Sequence, residues 1–255
     1  PPATPRLARH PSPPSLGAYG QQTLTRAHFA PAGLGGLGSP AALYLAAAGV
    51  GRLTLIDPDA VTLSNLQRQI LHATDSAGTA KTDSASCRLK ALNPAVEITT
   101  ATERLTPDNA LALLEKCDLA VDASDNYAAR FALADACAAL RIPLVHGAVK
   151  GFIGPATVFA PHEGTACYRC LFPEETPMQE EDTASAAGIL GAHAGIIGCI
   201  QALEALKALA GIPSPLRGGL LSADTLRMRF TVIPLHPSPT CKCRNGGGGG
   251  AAMKN

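Results

Sequence analysis

Gly33-Leu34-Gly35-Gly36-Leu37-Gly38, with Asp57 standing 19 residues beyond its last glycine, decides the fold class of this 255-residue chain. The spacing is G-x-G-x-x-G, and it runs into a helical stretch from Pro40 to Ala48. Leu53-Thr54-Leu55-Ile56 then reads as a buried strand that ends in Asp57. Glycines let backbone amides approach a phosphate, a helix N-terminus attracts the anion, and an acid at the next strand end accepts from a ribose hydroxyl. The pattern points to a nucleotide without saying which. A tight strand-to-helix turn is the plainer alternative, and Asp57 argues against it by sitting where the ribose acid belongs. One residue disagrees: Pro31 falls in the strand that must precede Gly33, and proline is disfavoured in central strands.

Outward from this motif, strand and helix patterns alternate. Thr79 to Leu92 reads as a helix stopped at Asn93-Pro94, Val96 to Thr100 as a strand, and Thr106-Pro107-Asp108 as the start of a helix. Leu119 to Val121 is a strand, Asn126 to Leu140 a helix, and Ile142 to His146 a strand. That alternation predicts a Rossmann-like α/β fold with a mostly parallel sheet and helices on both faces. After Lys150 the texture changes to strand-like segments, Cys167-x-x-Cys170, a polar loop from Pro173 to Asp182 and a helix from Gly195 to Leu209. Strands near Gly219 to Ser222 and Met228 to Leu235 follow, so the C-terminal part should add antiparallel strands and a zinc knuckle. Residues 1–245 are expected to form one domain with a Pro-rich first fifteen residues, and 246–255 a flexible Gly-rich tail.

Composition narrows the classes. Lys+Arg 21 against Asp+Glu 20 gives a formal +1, which argues against a nucleic-acid coat. Aromatics at 4% with no Trp are too few for base-stacking platforms. No stretch reaches the roughly 18 apolar residues needed to span a bilayer. The start shows no charged-then-apolar signal pattern, and a chain this long needs no disulfide scaffold for its eight cysteines. A cytoplasmic, reducing setting is the expectation, where paired cysteines more often bind metal than each other.

Ser64-Asn65-Leu66-Gln67-Arg68-Gln69-Ile70 is the more telling stretch. A nicotinamide site has no evident use for a polar, cationic segment just after its ribose acid. A triphosphate site does, with Asn65 and Arg68 holding phosphate oxygens and Lys81 adding a second charge. Asp125 reads two ways: as a carboxylate at a parallel strand's end that holds Mg²⁺ beside phosphates, or as the N-cap of the helix that the Asp125-Asn126 pair opens. For Arg68 and Lys81 the plain alternative is a solvated helix face. His28, His72, His146 and His193 show no spacing for a metal or a nucleophile triad and read as structural.

The run from Gly35 to Gly51, the run from Leu63 to Leu71, Asp125-Asn126 with Arg130, and Cys167-Tyr168-Arg169-Cys170-Leu171-Phe172-Pro173 together resemble the ThiF/MoeB/HesA family of ubiquitin-like-protein activating enzymes. The resemblance extends from about Arg6 to Cys243, with Gln201 to Ala205 leaning toward ThiF. It implies an adenylyltransferase that uses ATP and Mg²⁺ on the C-terminal Gly-Gly of a ThiS-like or MoaD-like sulfur carrier, for thiamine or molybdopterin synthesis. Asp57 would then hold the ribose, and Gly36 would let the backbone approach the nucleotide. Asn65, Arg68 and Lys81 would stabilise phosphate charge, and Asp125 would bind Mg²⁺. Asp59, Ser64 and Asn126 complete the implied nucleotide site. Arg9, in Arg6-Leu7-Ala8-Arg9, resembles an arginine that reaches into a partner subunit's site, which implies a homodimer.

Cys167-x-x-Cys170 has the spacing of half a structural zinc site. The resemblance supplies a second Cys-x-x-Cys, and here that end reads Cys241-Lys242-Cys243, one residue shorter. Many family members also place a cysteine in the loop before Ala187-Gly188, where this chain has Ala184. Alanine cannot attack an acyl-adenylate, so the chain is expected to stop at adenylation and hand its product to an external sulfurtransferase, unless the residue was altered to trap a complex. Two rivals stand beside this reading: a non-catalytic scaffold for a ubiquitin-fold partner, and a nicotinamide- or flavin-dependent oxidoreductase.

Overall fold

The computed structural model describes residues 5–7, 16–173 and 188–243. Arg9, Ala184 and the 246–255 tail lie outside those residues, as does the polar loop after Pro173. Eight strands form one sheet: β1 (His28–Ala32), β2 (Arg52–Ile56), β3 (Glu97–Ala101), β4 (Leu119–Asp122), β5 (Leu144–Gly147), β6 (Ile153–Phe159), β7 (Gly219–Asp224) and β8 (Arg229–Pro234). Their spatial order is β3-β2-β1-β4-β5-β6-β7-β8. The five from β3 to β5 run parallel, and β6, β7 and β8 continue the sheet antiparallel. The chain winds one way from β1 to β3 and the other way through β4 and β5. A crevice therefore opens beyond the carboxyl ends of β1 and β4.

Side-chain alternation divides the interior into two cores. Phe29, Leu53, Leu55, Leu119 and Val121 face one, under the helices α1 (Gly17–Arg26), α2 (Gly38–Ala47), α3 (Lys81–Leu92) and the long C-terminal helix. Ala30, Ala32 and Ala120 face the other, under α4 (Ala110–Leu114), α5 (Tyr127–Leu140) and the short α6 (Tyr168–Leu171). Both faces are covered, which is why the parallel strands read as nearly continuous apolar runs.

Three expectations shift. Pro31 does lie in a central strand. Its pairing with β4 is continuous (Pro31 opposite Val121), while the register with β2 lapses between Phe29–Leu53 and Ala32–Ile56. Only the β2 side needs the N–H that proline lacks, so the cost is one ladder bond. The helix expected from Thr106 begins at Ala110 instead, because the Asn109 side chain accepts from the Thr106 N–H and folds the intervening residues into a turn. The long helix α7 spans Gly191–Ala210, starting four residues before Gly195. Gly191 is there for contact: a Cβ on it would stand 2.4 Å from the Gln67 carbonyl oxygen.

Candidate functional site

The crevice is a cavity of about 470 Å³. Its floor is the glycine loop. Gly33 holds φ +90°, and a Cβ there would lie 2.5 Å from the Ala123 carbonyl oxygen at the end of β4. A Cβ on Gly38 would lie 1.8 Å from the Gly33 carbonyl oxygen. Only hydrogen fits there. Gly38→Ala is expected to cost about 2–3 kcal/mol by forced overpacking. The measure is thermal unfolding, with Tm falling by roughly 5–10 °C.

Asp57, at the end of β2, is 4% exposed. One of its oxygens accepts from the Leu34 N–H at 2.7 Å and the other from the Asp59 N–H at 2.9 Å. Burial pushes its pKa up, opposed by Lys81 and these two backbone donors. Lys81, the first residue of α3, is also only 4% exposed, so its charge is not on a solvated helix face. Its ammonium bonds the Asp59 carboxylate at 2.8 Å and sits 3.7 Å from that of Asp57. The two carboxylates keep a buried cation inside the cleft.

Across the cavity the Arg68 guanidinium donates to the Asn65 side-chain oxygen at 3.1 Å. Both residues belong to the turn that packs over the loop at Gly36, where a Cβ would stand 3.2 Å from that of Ala194 of α7 and 3.4 Å from the Arg68 stem, a tight fit. Asn126 caps α5, its side-chain oxygen accepting from the Ala129 N–H at 2.9 Å. The cap is therefore Asn126, and the exposed Asp125 carboxylate stands at the cleft with no role in it. Gly36, Asp57, Asp59, Asn65, Arg68, Lys81, Asp125 and Asn126 all line this one cavity. Ser64 does not: it is exposed beside Thr62, with the two hydroxyls 3.3 Å apart.

Beneath Asp125, the buried Asp122 accepts from the Ser124 N–H and hydroxyl and meets His146 Nδ1 at 2.7 Å. Burial alone would raise its pKa, but the bonds from His146 and Ser124 outweigh that and hold the carboxyl below its usual range. This network shapes the loop that carries Asp125.

The cysteines form a second centre. The Cys167 sulfur is 3.7 Å from that of Cys170 and 3.5 Å from that of Cys241. The Cys167, Cys241 and Cys243 sulfurs lie within 4.8 Å of one another. Ligands at the usual 2.3 Å around a tetrahedral zinc are about 3.8 Å apart, so the spacing of these three fits, while Cys170 lies outside the trio and close to Cys167. The Ser238 N–H also donates to the Cys170 sulfur at 3.2 Å, an arrangement suited to a thiolate. Burial and the crowding of the other sulfurs push the Cys167 thiol up. A bound cation reverses that by taking the thiolates directly.

The profile of the ThiF family matches residues 7–245. The chain belongs to the ThiF family. Among its relatives, this ThiF-family chain is 43% identical over 234 residues to the sulfur carrier protein adenylyltransferase of Thermus thermophilus, covering 89% of this chain and 86% of that one. It is 42% identical over 243 residues to the SAMP-activating enzyme E1 of Haloferax volcanii, covering 95% and 89%. With the Zea mays adenylyltransferase and sulfurtransferase MOCS3-1 the identity is 44% over 237 residues, 92% of this chain and 50% of the relative. The chain thus spans about half the length of such MOCS3 relatives. Escherichia coli MccB, solved with MccA-N7isoASN, shares the fold with a TM-score of 0.80 at 21% identity, covering 94% of this chain and 75% of that one.

The structure of this ThiF-family protein also recruits residues that the sequence motifs contain without giving them a role. Gln69 is buried against the glycine loop, and Arg130 donates to the Ser124 carbonyl at 2.9 Å. His72 directly follows the Leu63–Leu71 run and reads from sequence as structural. Its ring reaches the loop itself.

Proposed function

We propose that this chain uses ATP to adenylate the C-terminal Gly-Gly carboxylate of a ubiquitin-like sulfur carrier. The carboxylate oxygen attacks the α-phosphorus and forms the acyl–phosphate bond. The bond from that phosphorus to the bridging oxygen breaks, and pyrophosphate leaves with the electron pair. The protein does little covalent work here: it positions both substrates and stabilises phosphate charge. Arg68 is aimed by Asn65, and Lys81 brings a charge that is already desolvated. Asp57 keeps a lone pair on each oxygen for ribose hydroxyls after binding the loop. Asp125 would hold Mg²⁺, which when bound neutralises phosphate charge. The cysteine cluster would hold a structural zinc.

The meeting of Arg68, Lys81 and the Asp125 carboxylate around one cleft carries this reading. A close relative named for sulfur carrier adenylation supports it. A dehydrogenase would leave those three groups without work, and a scaffold would not need them. Residues Arg6 and Leu7 pack by Gly49 at the opposite end of the sheet from the cleft. Arg9, by its resemblance to an arginine that reaches into a partner subunit's site, supports a homodimer. With Ala184 in place of the loop cysteine, we assign the sulfur-transfer step to a separate sulfurtransferase in a reducing, cytoplasmic setting.

The test is pyrophosphate release with ATP, Mg²⁺ and either a ThiS-like or a MoaD-like carrier. One of them should support turnover, and the same carrier without its terminal glycine should not. Failure with both carriers would remove the proposal.

A further inference from the structure

The backbone of Leu34 is held from two sides by side chains. Its N–H is bound by Asp57, and its carbonyl lies 3.1 Å from His72 Nε2. The other ring nitrogen, Nδ1, lies 2.9 Å from the Ser84 hydroxyl on α3. A carbonyl only accepts, so Nε2 carries the hydrogen, Nδ1 accepts, and Ser84 donates. The His72 N–H in turn bonds the Gln69 carbonyl at 3.1 Å. One buried histidine thus joins the glycine loop and the helix that begins with Lys81 through its ring, and the turn bearing Asn65 and Arg68 through its backbone.

We propose that His72 is a positioning residue of the nucleotide site, fixing the glycine loop through the Leu34 carbonyl in the tautomer that Ser84 sets. The inference deepens the nucleotide reading of the cleft and rests on it. The charged groups that act on the ring are Lys81 and Asp57, and burial with Lys81 lowers its pKa, keeping it neutral. A neutral imidazole can hold both bonds at once. Because the loop cradles the nucleotide in ground and transition states alike, its loss should raise KM for ATP with little change in kcat.

Substitutions that separate the two ring nitrogens give the test. Glutamine places its amide nitrogen as many bonds from Cα as Nε2, and asparagine as many as Nδ1. His72→Gln should keep KM for ATP within about threefold of the parent, since the donor to Leu34 survives. His72→Asn should raise it about tenfold, the cost of roughly 1.4 kcal/mol of lost binding. Each is read in pyrophosphate exchange, with ATP binding measured by calorimetry and folding by Tm. Equal KM values for the two variants would overturn the role. If neither folds, Ser84→Ala decides: a rise of KM for ATP at unchanged kcat supports it, and an unchanged KM overturns it. Failure of the parent protein to bind ATP would instead sink the nucleotide reading itself, so the two failures are distinguishable.

Discussion

Asp125→Ala will abolish adenylate formation while carrier binding and thermal stability persist. The expectation follows from what the residue does not do in the fold. Its carboxylate is exposed, and the helix it precedes is capped by Asn126. Removing an exposed side chain with no internal bond usually changes stability by less than about 0.5 kcal/mol. Catalysis is another matter, because the group lines the same cleft as Arg68 and Lys81, the cations proposed to meet the phosphates. Loss of one preorganised electrostatic contact typically costs about 10²–10³-fold in kcat. Pyrophosphate exchange should therefore fall to background while calorimetric titration with the carrier gives the parent affinity. Retained turnover would refute the Mg²⁺ role of Asp125. Lost carrier binding would show that the residue shapes the docking surface instead.

Much of this site was legible in the chain because its chemistry depends on charge types at fixed distances from strand ends. Gly33 to Gly38, Asp57, Asn65, Arg68, Lys81 and Asp125 are local signals, and the parallel topology brings them to one crevice. The resemblance to the ThiF/MoeB/HesA family, which the match over residues 7–245 bears out, is what points from such a crevice to the proposed adenylation. What sequence could not show was where side chains spend their hydrogen bonds. Asp57 reads as a ribose acid, yet it also holds the loop through Leu34 and Asp59. Lys81 reads either as a second phosphate charge or as part of a solvated helix face, and its burial beside two carboxylates removes the second reading. His72 and His146 carry no spacing motif, because their partners Leu34 and Asp122 lie 38 and 24 residues away. Pro31 looked wrong for a central strand because a propensity does not know which edge of the strand needs the N–H.

Cys167→Ser should have the largest effect on stability. Its sulfur stands nearest the others, within 3.7 Å of Cys170 and 3.5 Å of Cys241, so it joins α6 to the C-terminal segment. The neighbouring Tyr168 ring packs edge-on against Phe131, Phe159 and His146, anchoring the cluster in the core under α5. Serine is a poor zinc ligand, and three remaining thiols would hold the ion far less tightly. Metal binding is folding energy in such sites, since the arrangement is absent from the unfolded chain. A loss of even about 3 kcal/mol would lower Tm by roughly 10 °C at this size. The parent should contain about one zinc per chain. A strong chelator should lower the parent's Tm toward that of the variant, and the variant should not respond. A parent protein purified without metal, with a Tm indifferent to chelator, would mean that the Cys-x-Cys end packs as thiols and that the shortened spacing has cost the chain its zinc.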